Sequence, residues 1–370
     1  MQFSEIDGFN TIKQQLIRAK QNNKTAHAQL FLGSHGGPSL AIALAYATYL
    51  HCENKQENDS CGQCHSCVKM KKYVHPDMHF IFPATAAKKA TEDANPLIES
   101  WRTFAQENYF GGSSEWAYRA GLENKQLSIP AESVRSVMKR LSLKAFESEH
   151  KVVIIWQPEY MNTTAANAML KVLEEPTDGT VFILVAYNIE KILTTIKSRC
   201  QLMHIPAFSD DEVQQYLKKE YPSVGDDIIH NAVQFAEGNI QLAISKVTGD
   251  NTDFLLAFRN WMRLCYTANF AELITFSDEF QQMGKRAQQD LLQFALAILR
   301  SSLYELQGVT NRDTPDKAFV QGFAKTLSED KIIKASSLFN DLAYHMERNA
   351  SPKISFMNVS IQLATIFKQS

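Results

Sequence analysis

Residues 33–40 read Gly-Ser-His-Gly-Gly-Pro-Ser-Leu, the outline of a phosphate-binding loop. An apolar run (Leu30-Phe31-Leu32) precedes it and Ala41-Ile42-Ala43-Leu44 follows, so strand, loop and helix come in the order such a loop needs. Triphosphate chemistry there requires a Lys that reaches the β- and γ-phosphates and a Ser or Thr that holds Mg²⁺. Ser39 and Leu40 stand in those places, and Pro38 sits just before them where Gly is usual. Proline has a fixed φ and no N–H to offer a phosphate. The loop marked by Gly33, Gly36 and Ser39 therefore reads as degenerate, and ATP is not expected to bind.

A second part of the same apparatus is missing. Hydrolysis in this architecture needs an acidic residue at the end of a buried strand, to hold Mg²⁺ and orient water. Lys151-Val152-Val153-Ile154-Ile155 reads as that strand, but it ends in Trp156-Gln157-Pro158-Glu159. Trp156 cannot ligate Mg²⁺ and Gln157 is neutral. Two losses together predict no hydrolysis by this chain.

Cys52, Cys61, Cys64 and Cys67 form a C-x8-C-x2-C-x2-C cluster. Four thiolates with no open position suit structural zinc. An iron–sulfur cluster fits less well, since the bacterial pattern is a longer run followed by Pro; free core thiols are the remaining reading. His51, His65 and His75 are nearby substitute ligands, but four cysteines already suffice. Lys69, Lys71 and Lys72 follow directly. They read as a solvated face on a zinc-stapled excursion, or as the DNA contact of a zinc knuckle.

Ser198-Arg199-Cys200 follows a strand-like run, Val181–Val185, and a short helix expected over Ile189–Ile196. An isolated Arg here is a surface ion pair, or a finger aimed out of its own domain at a phosphate held by a neighbour. Spacing alone leaves both open.

The 370 residues are 45% hydrophobic and 21% charged with a formal net charge of −2. That profile is globular, long enough for two or three domains, and unlike a surface wholly given to nucleic acid. The N-terminus has neither a basic nor an apolar region of the signal-peptide kind, and no apolar stretch approaches the ~18 residues of a membrane span. Clustered rather than paired cysteines suit a reducing compartment. A cytoplasmic protein with no membrane partner is expected.

The elements that must hold these residues alternate over the first two hundred positions. Gln29–Leu32, His79–Ile81, Val152–Trp156 and Val181–Val185 are short apolar runs of the kind buried on both faces of a sheet. Val134, Val137, Met138 and Leu141 share one face of a helix expected over Ala131–Leu143, and Ala166, Met169, Leu170 and Leu173 one over Thr164–Leu173. Residues 209–247 read as a small helical bundle punctuated by Gly238-Asn239. Beyond about Thr252 the pattern is all-helical, through Leu291–Leu299, Ile332–Leu342 and Ile361–Ile366. Residues 84–128 read as an irregular, partly helical insertion.

Several segments together resemble the bacterial clamp-loader subunits of the AAA+ class. They are His27-Ala28-Gln29-Leu30-Phe31-Leu32-Gly33, the four cysteines with His75-Pro76-Asp77, the run from Ala165 to Pro176, and Ser198-Arg199-Cys200. The resemblance is dense over residues 1–206, fair over 207–247, and beyond that rests on helical character. It implies an α/β AAA+ (P-loop-type) domain over 1–206 with a zinc-binding insertion at about 50–77. A small helical lid (207–248) and an all-α collar (249–370) that holds a pentamer together would follow. It also implies zinc on Cys52, Cys61, Cys64 and Cys67, and an arginine finger at Arg199, positioned by Ser198, serving ATP on an adjacent subunit. Implied partners are ATPase and delta-type loader subunits, the sliding clamp and primer–template DNA, within the polymerase holoenzyme. Gln241 lies where active relatives place a phosphate-sensing Arg, a third loss in the nucleotide site.

Three functions are thus on the table. The first is a non-hydrolysing clamp-loader subunit without catalysis of its own. The second is an autonomous ATP-driven motor with an atypical loop, opposed by Ser39, Leu40, Trp156 and Gln241. The third is a zinc-knuckle DNA-binding module, opposed by the acidic balance.

Overall fold

The computed structural model describes residues 1–85, 97–123, 125–248, 254–308, 317–347 and 350–368. It divides into two compact units, Met1–Tyr216 with Glu237–Gln241, and Leu217–Ala236 with Leu242–Ser370.

The first unit is built on a five-stranded parallel sheet: β1 (Ala28–Leu32), β2 (Met78–Ile81), β3 (Lys151–Trp156), β4 (Thr180–Ala186) and β5 (Gln201–His204), in the order β2-β3-β4-β1-β5. β1 and β4 run in register from Ala28 opposite Phe182 to Leu32 opposite Ala186. β3 and β4 are buried along their whole length, which is why they read as unbroken apolar runs. β5 was not expected from the sequence. It lies at the sheet edge beside β1, with Gln201, Leu202 and His204 exposed, so it lacks the apolar signature of the other four.

Helices join the strands, as parallel pairing requires. α1 (Asn10–Gln21) precedes β1; α2 (Ser39–His51) and α3 (His65–Lys71) lead to β2; α4 (Ile98–Glu107), α5 (Ser113–Arg119) and α6 (Ala131–Leu141) lead to β3. α7 (Thr163–Glu174) returns to β4, and α8 (Thr194–Lys197) precedes β5. Every residue of α2 is buried, so it shows no polar face. α6 buries Val134, Val137 and Leu141, as its spacing predicts. It stops two residues before the expected Leu143, where the buried Lys151 ammonium donates to the Leu141 carbonyl (2.5 Å) and the Leu143 carbonyl (3.0 Å). The single helix expected over Ile189–Ile196 is instead a 3-10 turn, Ile189–Lys191, then α8, separated by extended backbone at Ile192 and Leu193.

Of segment 84–128, residues 86–96 and 124 lie outside the described residues. The rest is more ordered than its polar composition suggested. α4 buries Trp101 and Phe104 against Trp156 at the end of β3, with the Trp101 and Trp156 rings 5.0 Å apart, and Trp116 of α5 packs edge-on against Trp101 at 5.3 Å.

Residues 210–247 form α9 (Asp210–Glu220), α10 (Asp226–Ala236) and α11 (Ile240–Val247). Gly238, at φ +83°, breaks the chain between the last two. In the second unit α12 (Phe254–Thr267), α13 (Phe270–Gln282), α14 (Gly284–Leu306), α15 (Lys317–Ala324), α16 (Glu329–Glu347) and α17 (Pro352–Lys368) complete the chain. Their core stacks Phe356 between Trp261 and Phe280, each at 4.4 Å, and Trp261 donates its indole N–H to Ser360 Oγ at 2.9 Å. Among the described residues no helix is long and apolar enough to cross a membrane.

Candidate functional site

The β1–α2 loop is held by its own backbone. Gly33 N–H donates to Ala186 O (3.0 Å), Gly37 N–H closes a turn onto Ser34 O (3.1 Å), and Gly36 sits at φ +71°. Ser39, the residue left where a Lys is needed, is wholly buried at the start of α2. Among the described residues its hydroxyl has no hydrogen-bond partner, and it lies against Gly33, where a Cβ would collide with it.

The chain itself fills the ground around the loop. The His35 ring lies 4.7 Å from the ring of Tyr187, just past the end of β4. The Trp156 indole N–H donates to the Tyr187 hydroxyl at 3.2 Å. On the other side, Ile240 N–H at the start of α11 donates to the Gly36 carbonyl at 3.1 Å. The Asn239 carboxamide lies so close that a Cβ on Gly36 would overlap it. The family resemblance singled out 238–241 for the uncharged Gln241, but it is Asn239 and Ile240 that meet the loop. Nothing in the sequence marked Tyr187.

At the β3 end stands Trp156, which has no oxygen to offer Mg²⁺. Trp156 and Gln157 are buried, and Gln157 takes a left-handed φ of 53°. Glu159, the acid that remains, is turned to structural use. Its carboxylate accepts the N–H groups of Tyr187 and Asn188, and burial pushes its pKa up.

The four cysteines come together on the excursion after α2. Cys52 ends α2, Cys64 caps α3 by accepting Cys67 N–H, and Cys67 lies within α3. All four sulfurs lie within 4.8 Å of one another, and those of Cys61 and Cys67 are 3.9 Å apart. A tetrahedron of 2.3 Å zinc–sulfur bonds has edges of about 3.8 Å, so the residues fit a closed four-thiolate site. Backbone N–H groups at Gln63 and Cys64 pull the Cys61 thiol down to about 6, while burial pushes Cys52 and Cys67 up. A divalent cation would stabilise the thiolate form that burial disfavours at Cys52 and Cys67, with release of their protons. His51 and His75 stack on each other at 4.3 Å and bond elsewhere, His51 with Ser148 Oγ and His75 with Asp77 N–H, outside the four-sulfur group. Lys69, one of the lysines after the cluster, pairs with Glu147.

Arg199 stands in the turn between α8 and β5, about one-third exposed. Nη1 donates to Thr195 O at 2.9 Å and approaches Ser198 Oγ at 3.5 Å, while Nη2 contacts the Glu174 carboxylate at the end of α7. A surface ion pair was one of the two readings open for Arg199, but Glu174 as its partner was not foreseen, because the two residues meet only through the fold.

A family model described as "DNA polymerase III, delta subunit" matches residues 8–209, more than half of the chain. The chain belongs to that family. Among named relatives of this delta family, the DNA polymerase III subunit delta′ of Escherichia coli K12 is 25% identical over 238 residues, 64% of this chain and 59% of that protein. The delta′ subunit of Yersinia pestis is 28% identical over 191 residues, covering 52% and 45%. The matches thus span about half to three-fifths of these relatives. A solved DNA polymerase III gamma subunit-related protein of Thermotoga maritima aligns over 96% of this chain and all of its own at 15% identity, with a TM-score of 0.39.

Proposed function

We propose that this chain is a non-hydrolysing subunit of the DNA polymerase III clamp loader. In this reading it assembles with ATPase and delta-type subunits, opens the sliding clamp and helps to load it on primer–template DNA in the cytoplasm. Its α/β AAA+ domain would cover 1–206, a helical lid 207–248 and a collar 249–370, with structural zinc on Cys52, Cys61, Cys64 and Cys67.

The observation that carries this reading is the occupied phosphate loop. Gly37 spends its N–H on the Ser34 carbonyl, Asn239 covers Gly36, and Ser39 is sealed beneath. A loop engaged in this way, with neither Lys nor acidic strand end, has no means to grip or cleave a triphosphate. Family membership supplies the setting in which such a chain still contributes.

That contribution falls to Arg199. Its guanidinium stands on the surface of its own unit, so it serves a γ-phosphate bound elsewhere, on an adjacent motor subunit. There it would stabilise charge that builds on the equatorial oxygens in the transition state. Zinc, when bound, supplies no chemistry of reaction; it ties the Cys52 end of α2 to α3.

The test has two arms. Calorimetry of the purified chain with Mg-ATP is expected to show no binding, and micromolar affinity with turnover would restore the motor reading. In a reconstituted ring, Arg199→Ala is expected to lower ATP turnover by about 10³-fold or more with assembly intact. Unchanged turnover removes the finger role.

A further inference from the structure

We infer that Glu174 is the positioning residue for Arg199, an assignment that rests on the proposed role of Arg199 in trans. Glu174 is the last residue of α7. A helix C-terminus carries partial negative charge, so a carboxylate there opposes the helix macrodipole rather than supporting it. Glu175 follows and adds to the unfavourable charge. Glu174 thus does little for α7 itself, and its observed partner is the Arg199 guanidinium.

The pair has the form a finger needs. An arginine free to rotate about its long side chain loses much entropy each time it docks. Here two elements fix the guanidinium plane. Thr195 O, one turn back on α8, accepts from Nη1, and Glu174 on α7 holds Nη2. A guanidinium carries five N–H donors, and these contacts draw on only part of that set. Enough donors remain for a two-pronged hold on a phosphate. Half exposure of Glu174 keeps the pair weak enough not to neutralise the cation outright. Ser198, assigned the positioning role from sequence, lies at the longer distance of 3.5 Å from Nη1.

The assignment separates from a plain surface ion pair by what it does to kinetics. In the reconstituted ring, Glu174→Ala is expected to lower kcat for ATP by about two- to fivefold, with KM for ATP unchanged. Glu174→Asp, with the charge retained, is expected to recover most of the loss. Glu174→Gln keeps the shape of the α7 end and is expected to lower kcat in the same direction, which guards against a variant that merely fails to assemble. If Glu174→Ala and Glu174→Gln turn over like wild type while Arg199→Ala has collapsed, the finger stands and the positioning role is overturned. If Arg199→Ala itself leaves turnover intact, the finger reading fails first, and this inference with it.

Discussion

The Tyr187 ring covers His35, with centroids 4.7 Å apart and planes inclined by 32°. The end of β4 therefore lies over the loop after β1, and Trp156 anchors the cover through its indole N–H. The aromatic arrangement is local, but it joins three strand ends that an ATPase would use for phosphate, metal and water.

Removing the cover tests whether the cover, rather than the loop, accounts for the proposed lack of nucleotide binding. Tyr187→Ala is expected to cost about 2 kcal/mol, from the ring contact and the lost indole hydrogen bond. Mg-ATP should still not bind in calorimetry, because no ammonium replaces the missing Lys. Nucleotide binding by this variant would transfer the blame from the loop to its cover.

Trp156 is a harsher target. It is wholly buried, with Trp101 at 5.0 Å and Phe104 at 5.4 Å. Trp156→Ala should lower stability by about 3–5 kcal/mol in urea unfolding. Trp156→Asp, which restores an acid to the strand end, should be at least as damaging and give no turnover, because the carboxylate would enter an apolar pocket.

Asp77 receives the backbone N–H groups of Phe146, Glu147 and Ser148 at 2.6, 2.8 and 2.9 Å. Asp77→Ala leaves these donors without their acceptor and should cost about 2–3 kcal/mol. Amide hydrogen exchange at 146–148 should rise before that of the sheet. Uniform exchange across the unit would contradict so local a role.

Acid should loosen the first unit through its histidines. Burial, first of all, lowers the pKa of His79 to about 4, and burial also lowers His51, His75 and His150. In the unfolded chain these groups take protons near 6.5. Stability is therefore full above about pH 6.5 and declines as pH falls towards 4, because the unfolded state binds protons that the folded state refuses. The share due to His79 is at most roughly 3 kcal/mol. Urea unfolding of wild type and His79→Gln between pH 7 and 4 should show a shallower decline in the variant.

Metal removal gives the fifth expectation. A strong chelator should extract one zinc per chain and lower the melting temperature, with the change in amide exchange centred on residues 52–67. Cys61→Ser should lose metal and show the same shift without chelator. Full metal content in that variant would break the four-thiolate assignment.

Legibility in the sequence followed burial. β1, β2, β3 and β4 lie inside the sheet or under helices, and their apolar runs announced them; edge strand β5, with one buried residue in four, did not. The cysteines were legible because three of them fall within seven residues, so local geometry nearly dictates their meeting. Glu174 with Arg199, and Asn239 with Gly36, are 25 and 203 positions apart; only the fold brings them together. Polar composition over 84–128 concealed Trp101 and Trp116, since two aromatics can organise a segment whose average is hydrophilic.

The Ile240–Gly36 hydrogen bond has a mechanical meaning. In a fuelled loop the equivalent space fills and empties with every cycle, and the flanking turn must travel. Here main chain is joined directly to main chain. In the proposed ring such a segment would follow no fuel cycle, and moving companions would find a fixed jaw to close against.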